Sequence, residues 1–154
     1  MLFAGERFRF ERPAAWVAVD KAGATVLFQD KPGSSYNTLG VTVAPVKVAS
    51  LTEFGSPQTV ADKLVRAELE KDGTLSADVL SVRERRASSG APLYEVEYDT
   101  EHATRGRKRV LNAVCIDKGV LYIFALQHKL AAEPDAQPAV AAIAPRLLAS
   151  FDVV

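Results

Sequence analysis

Glu95, Glu97, Asp99 and Glu101 recur at every second position of one short stretch, and carboxylates spaced this way share one face of an extended strand. Clustered carboxylates are the raw material of metal sites and of acid–base pairs. Neighbours at this spacing stand about 6.5–7 Å apart, too far for a single ion to be gripped by all four. Arg83 and Arg85 before them, and Arg107 and Arg109 after them, repeat with the same two-residue step. The pattern reads as a cross-strand ladder of ion pairs on a solvated or helix-rimmed face. Arg105, Arg107, Lys108 and Arg109 are also the densest positive cluster of the chain. A patch of that kind can orient docking onto an acidic protein surface.

The other chemistry-bearing residues are few. His102 and His128 are the only histidines. Glu101 beside His102 is the candidate metal pair, but a site needs two or three convergent ligands and adjacency supplies no convergence. Both histidines read as ordinary surface residues. Cys115 is the single cysteine, which rules out an intrachain disulfide, and its apolar neighbours mark it as a small buried hydrophobe. No Gly-x-Ser-x-Gly elbow, phosphate-binding glycine loop or dinucleotide fingerprint is present. Neither an enzyme nor a cofactor is expected.

These residues must be positioned by a modest set of elements. The chain has 154 residues and a formal net charge of zero, enough for one domain with a proper core, expected over 1–154. It lacks the positive excess of a general nucleic-acid binder. No apolar run approaches the ~20 residues of a membrane helix. Met1 to Ala4 is too short for a signal peptide, so the chain is expected to be either cytosolic or a mature form whose targeting sequence is not included.

Strands are expected at Arg7–Glu11, with Phe8 and Phe10 on one face, at Ala24–Gln29 and at Thr38–Val46, with a turn over Asp30–Ser35 between the last two and Trp16 as a core plug. Pro45 places the end of the third strand near a sheet edge or a bulge. The stretch Ser50 to Pro57 reads as strand exit, tight turn and helix start. Ser56 caps and Pro57 takes the first helical position. The helix then runs from Gln58 to about Lys71, with Val60, Ala61, Leu64, Val65 and Leu69 inward. Four closely spaced strands follow, Ala77–Arg86, Leu93–Glu101, Lys108–Ile116 and Val120–Gln127, as an antiparallel meander. In the first of these Val79 is placed on the face of Arg83 and Arg85. The alanine-rich tail predicts a helix from near Ala136 with a kink or restart near Pro145, and Phe151 and Val153 pin the end to the body.

Several of these pieces resemble, in order and spacing, the PsbP family of photosystem II extrinsic proteins and their PsbP-like relatives. Gly5-x-x-Phe8 with Pro13 and Trp16 is similar to the family's opening motif, and Phe28-Gln29-Asp30 to a strand end. Asn37 to Pro45 matches an "N-x-S-V-x-V-x-P" strand, and Ser50 to Pro57 matches the "S-I-x-D-F-G-S-P" junction. Gly90 to Tyr94, Gly119 to Tyr122 and Ala149-Ser150-Phe151 continue the series. The resemblance implies an α/β/α sandwich with a central antiparallel sheet of about six strands and helices on both faces. It implies a protein without enzymatic activity, in the chloroplast thylakoid lumen, peripheral to the membrane and docked on the lumenal face of photosystem II. There it would stabilise the oxygen-evolving complex, where PsbP helps to retain calcium and chloride. Relatives act as assembly factors or as lumenal subunits of photosystem I or the NADH dehydrogenase-like complex. A small ion-binding protein using Glu101 and His102 is a further alternative.

The departures are specific. Only Met1 to Ala4 precede the first motif, Lys108-Arg109 stands where the family has a Lys-His pair, and Ala132 to Asp135 replaces a "K-R-W-F" element. The resemblance therefore favours docking through Arg105, Arg107, Lys108 and Arg109 over PsbP's ion-related roles.

Overall fold

A computed structural model describes residues 1–31 and 37–154. Its centre is a seven-stranded sheet, antiparallel at every pairing, in the order β3-β4-β5-β9-β8-β7-β6. The strands are β3 (Val17–Ala18), β4 (Val26–Gln29), β5 (Thr38–Pro45), β6 (Thr74–Arg86), β7 (Pro92–His102), β8 (Gly106–Asp117) and β9 (Val120–Leu130). A second sheet of three strands joins β1 (Leu2–Ala4), β2 (Phe8–Glu11) and β10 (Asp152–Val153). The expected Phe8 and Phe10 strand is thus real but belongs to this small sheet. The main sheet has seven strands instead of about six because the segment after Trp16 adds a two-residue edge. Of the turn expected over Asp30–Ser35, residues 32–35 lie outside the described residues.

Helices cover both faces. On one lie α1 (Leu51–Phe54) and α2 (Pro57–Leu69), with Leu51, Val60 and Ala61 buried against Tyr94, Val96, Tyr98, Val110, Val114 and Ile116. On the other lie α3 (Val140–Ser150) and the small sheet, enclosing Phe8, Phe10, Leu111, Phe124, Leu126, Leu147 and Phe151. The tail is pinned as expected. Phe151 and Val153 are fully buried, and β10 pairs with Arg9 and Phe8 of β2.

The Ser50–Pro57 junction is two caps in succession, where the sequence reading had one turn. Ser50 Oγ accepts from Thr52 N and starts α1, then Ser56 Oγ accepts from Thr59 N and starts α2 with Pro57 at its first position. Along α2 the apolar stripe stops early, because Leu69 is 46% exposed while Glu68 is buried in its place. In β6 a bulge between Val79 and Ser81 shifts the register, so Val79 faces Tyr98 and α2 while Arg83 and Arg85 point to the opposite face. The expected alternation across Val79 fails for that reason. The final helix begins at Val140, after a 3-10 turn at Pro134–Ala136, and not near Ala136. Gln137, held extended ahead of Pro138, separates the two, and Pro145 is accommodated inside α3.

Candidate functional site

Strand alternation divides the charged residues between two faces. On the α3 side β7 presents Glu95, Glu97 and Asp99, and the ion ladder expected from the spacing is present. Arg83 lies 3.6 Å from Glu95 and 3.7 Å from Glu97. Arg85 lies 2.9 Å from Glu95, and Arg109 grips Asp99 with two hydrogen bonds of 2.8 and 3.1 Å. Arg107 adds a 3.6 Å contact to Asp99. Glu95 and Asp99 are each only 8% exposed, so these pairs are better shielded than an open surface bridge, for which up to about 1 kcal/mol is typical. Arg85 also donates to the carbonyl of Phe151 at 2.6 Å, placing a positive charge at the C-terminal end of α3 where the helix dipole favours it.

On the α2 side lies a cleft at the end of the sheet, lined by Lys21, Glu68, Lys71, Thr74, Thr100, His102, Arg105 and Lys108 among others. Buried Glu68 gathers the polar contacts of its wall. The Tyr98 hydroxyl donates to Glu68 at 3.3 Å, Lys71 lies 2.9 Å away and Lys108 3.9 Å. Lys108 donates to Gln127 Oε1 at 3.1 Å. Burial lowers the Lys108 ammonium below its ordinary pKa; Glu68 opposes that shift, while Lys71, Arg105 and Lys21 reinforce it. Burial and Glu68 push the Tyr98 phenol well above its ordinary value.

The four basic residues singled out in the sequence therefore do not form one patch. Arg107 and Arg109 point to the α3 face, and Arg109 is committed to Asp99. Lys108 and Arg105 belong to the cleft on the opposite face. Arg105 and Arg107 form the exposed rim at the β7–β8 turn, with Arg107's side chain 57% exposed.

The candidate pair Glu101 and His102 is separated by the same alternation. His102 sits on the cleft side, where its Nδ1 accepts from the backbone N–H groups of Thr104 and Arg105 at 3.1 and 3.2 Å. Its Nε2 lies 3.1 Å from the carbonyl of Asp72 and donates to it. Both ring nitrogens hold the turn. Gly73, at φ +84°, lies directly under this ring, where any Cβ would collide. Glu101 is exposed on the other face, and among the described residues no group of three or more His, Cys, Asp or Glu is placed to hold a metal ion. Cys115 is fully buried, and burial pushes its thiol up to about 12, far from the thiolate that nucleophilic chemistry needs.

His128 departs from the surface role expected of it. It is 2% exposed on the α3 face, across from Arg109 in register. Its Nδ1 lies 3.0 Å from the carbonyl of Lys129. Burial lowers its pKa; the Lys129 hydrogen bond and Asp99 oppose this and Arg109 adds to it. A histidine whose folded pKa is lowered gives stability that is complete above its unfolded pKa of about 6.5 and is lost progressively as the pH falls from there through the lower folded pKa. Thermal unfolding between pH 7.5 and 5 is expected to show this loss, and His128→Gln to flatten it. An unchanged slope would place the sensitive group elsewhere.

The signal for Glu68 was present in the sequence. It continues the i, i+3, i+4 series of Val60, Ala61, Leu64 and Val65 as a carboxylate on an apolar stripe, and a buried charge requires partners. Lys21 and Lys71, distant along the chain, carry no such signal.

A seven-stranded antiparallel sheet with helices on both faces defines an α/β sandwich fold. The PsbP family model matches residues 3–153. The chain is 39% identical over 142 residues to PsbP domain-containing protein 2, chloroplastic, of Arabidopsis thaliana, an alignment covering 92% of this chain and 60% of that protein. The chain thus spans about three fifths of the length of that relative. The solution structure of the cyanobacterial PsbP, CyanoP, of Synechocystis sp. PCC 6803 superposes with a TM-score of 0.76 at 20% identity, covering 100% of this chain and 92% of that one. The chain belongs to the PsbP family.

Proposed function

We propose that this protein is a non-enzymatic chloroplast protein of the thylakoid lumen that docks on the lumenal side of photosystem II and stabilises its oxygen-evolving side. Family membership carries the reading, and the chloroplastic relative supports the compartment. Docking is by protein contact; among the described residues no helix is long and apolar enough to cross a membrane. The exposed rim of Arg105 and Arg107 meets acidic lumenal loops; Lys108 is recessed behind it and Arg109 is held by Asp99. Charged rims of this kind set association rate and salt sensitivity more than affinity.

A second reading, an assembly factor or a lumenal subunit of photosystem I or of the NADH dehydrogenase-like complex, is favoured by one observation. The similar Arabidopsis protein is named for its PsbP domain and not as a photosystem II subunit. Gentle solubilisation of thylakoids, separation of complexes by size and mass spectrometry of each fraction decide between them. Migration with mature photosystem II is the expected result. Migration with another complex, or only with small intermediates, would contradict the first reading.

A further inference from the structure

The cleft beside Glu68 has a charge surplus that the docking rim does not explain. Four cations line it from four separate segments: Lys21 from the loop between β3 and β4, Lys71 just past α2, Arg105 from the β7–β8 turn and Lys108 from β8. Only two carboxylates, Glu68 and Asp72, line it with them, leaving a local surplus of two positive charges in a chain whose formal net charge is zero. Like charges held together in a concave, partly desolvated space repel one another, and that cost is relieved by a bound counter-anion.

The lining suits an oxyanion. Lysine ammonium groups donate in several directions, arginine offers a planar fork for two oxygens, and the hydroxyls of Thr74 and Thr100 add neutral donors. Glu68 supplies part of the counter-charge, pairing with Lys71 at 2.9 Å and lying 3.9 Å from Lys108, and the surplus of two positive charges is what remains after it and Asp72 are counted. The negative end of the α2 dipole points this way, but two of its last-turn carbonyls are engaged within the chain, Arg66 O accepting from Glu70 N and Glu68 O from Lys71 N. Beyond the helix, Asp72 O accepts from His102. The space is about 240 Å³, room for a tetrahedral dianion with some of its water.

We propose that this cleft is a binding site for a phosphate-class dianion, held by Lys21, Lys71, Arg105 and Lys108, supplied either as the free ion or as a phosphomonoester. The site shares Arg105 with the docking rim, and its test uses the isolated protein, so that failure of either reading is seen separately. Backbone amide NMR is followed while inorganic phosphate, and separately O-phosphoserine, is added at constant ionic strength held with sodium chloride. The expected result is saturable shifts confined to residues around Lys21, Asp72 to Thr74 and Thr100 to Lys108. The tighter of the two ligands identifies the source. Lys21→Gln with Lys71→Gln removes two exposed cations and is expected to weaken binding at least tenfold. Lys47→Gln with Arg86→Gln removes the same charge near the opposite end of the sheet and is expected to leave it unchanged. Absence of saturable shifts with both ligands would overturn the site, as would equal weakening in the two double variants, which would reduce it to a general charge effect.

Discussion

Phe10→Ala is expected to destabilise the protein by about 3–5 kcal/mol and to lower its melting temperature by roughly 10 °C. Phe10 is fully buried although it belongs to the small sheet and not to the main one. Its ring stands 5.0 Å from Phe3, 5.7 Å from Phe124 and 6.4 Å from Phe28. It therefore joins three segments through side chains, where backbone pairing between the two sheets does not. Truncation removes a large apolar surface and leaves a void between sheets that are each held by their own hydrogen bonds, so collapse around it is limited. Leu80→Ala, at the exposed bulge residue of β6 with 51% of its surface accessible, is expected to stay within about 0.5 kcal/mol of the parent. Denaturant unfolding of both variants measures the contrast. A Phe10→Ala loss below about 1 kcal/mol, outside the usual range for a buried aromatic, would mean that the small sheet contributes little to the core.

What was legible in the sequence follows from local periodicity. The alternation of Tyr94, Val96 and Tyr98 against Glu95, Glu97 and Asp99 set both the strand and the faces of the ion ladder, because a strand has a period of two and both patterns lie within it. Ser56 and Pro57 marked the start of α2 through the chemistry of its first turn. The failures are of another kind. Val79 was put on the wrong face because a bulge adds a residue without any signal in a run such as Asp78-Val79-Leu80-Ser81. His128 reads as a surface residue because it ends an apolar strand, whereas in the fold the 130–145 segment lies beside it on the sheet. The basic cluster was read as one patch because four charges within five residues look contiguous. In an extended strand neighbouring residues point to opposite faces, so Lys108 parts from Arg107 and Arg109. The cleft depends on Lys21, Glu68 and Lys71 meeting β8 across long stretches of chain, a meeting that no local pattern records.

The second large effect concerns docking itself. Arg105→Glu with Arg107→Glu reverses the exposed rim, replacing two attractive charges with two repulsive ones against an acidic partner surface. Both positions lie at or beside the β7–β8 turn and are largely exposed, so the fold is expected to survive. Asp99 retains its two hydrogen bonds from Arg109 when Arg107 is changed. Each reversal acts through screened interactions that fall off over about 8 Å at physiological ionic strength, and the two act together at one edge. The retained fraction of protein on photosystem II membranes, followed through a sodium chloride titration, is the measurement that bears most directly on the account. The parent protein is expected to remain bound at low salt and to be released as salt rises. The double variant is expected to be released at roughly half that concentration, or to fail to bind, as the loss of electrostatic attraction requires. Identical release curves for parent and variant would contradict docking through this rim.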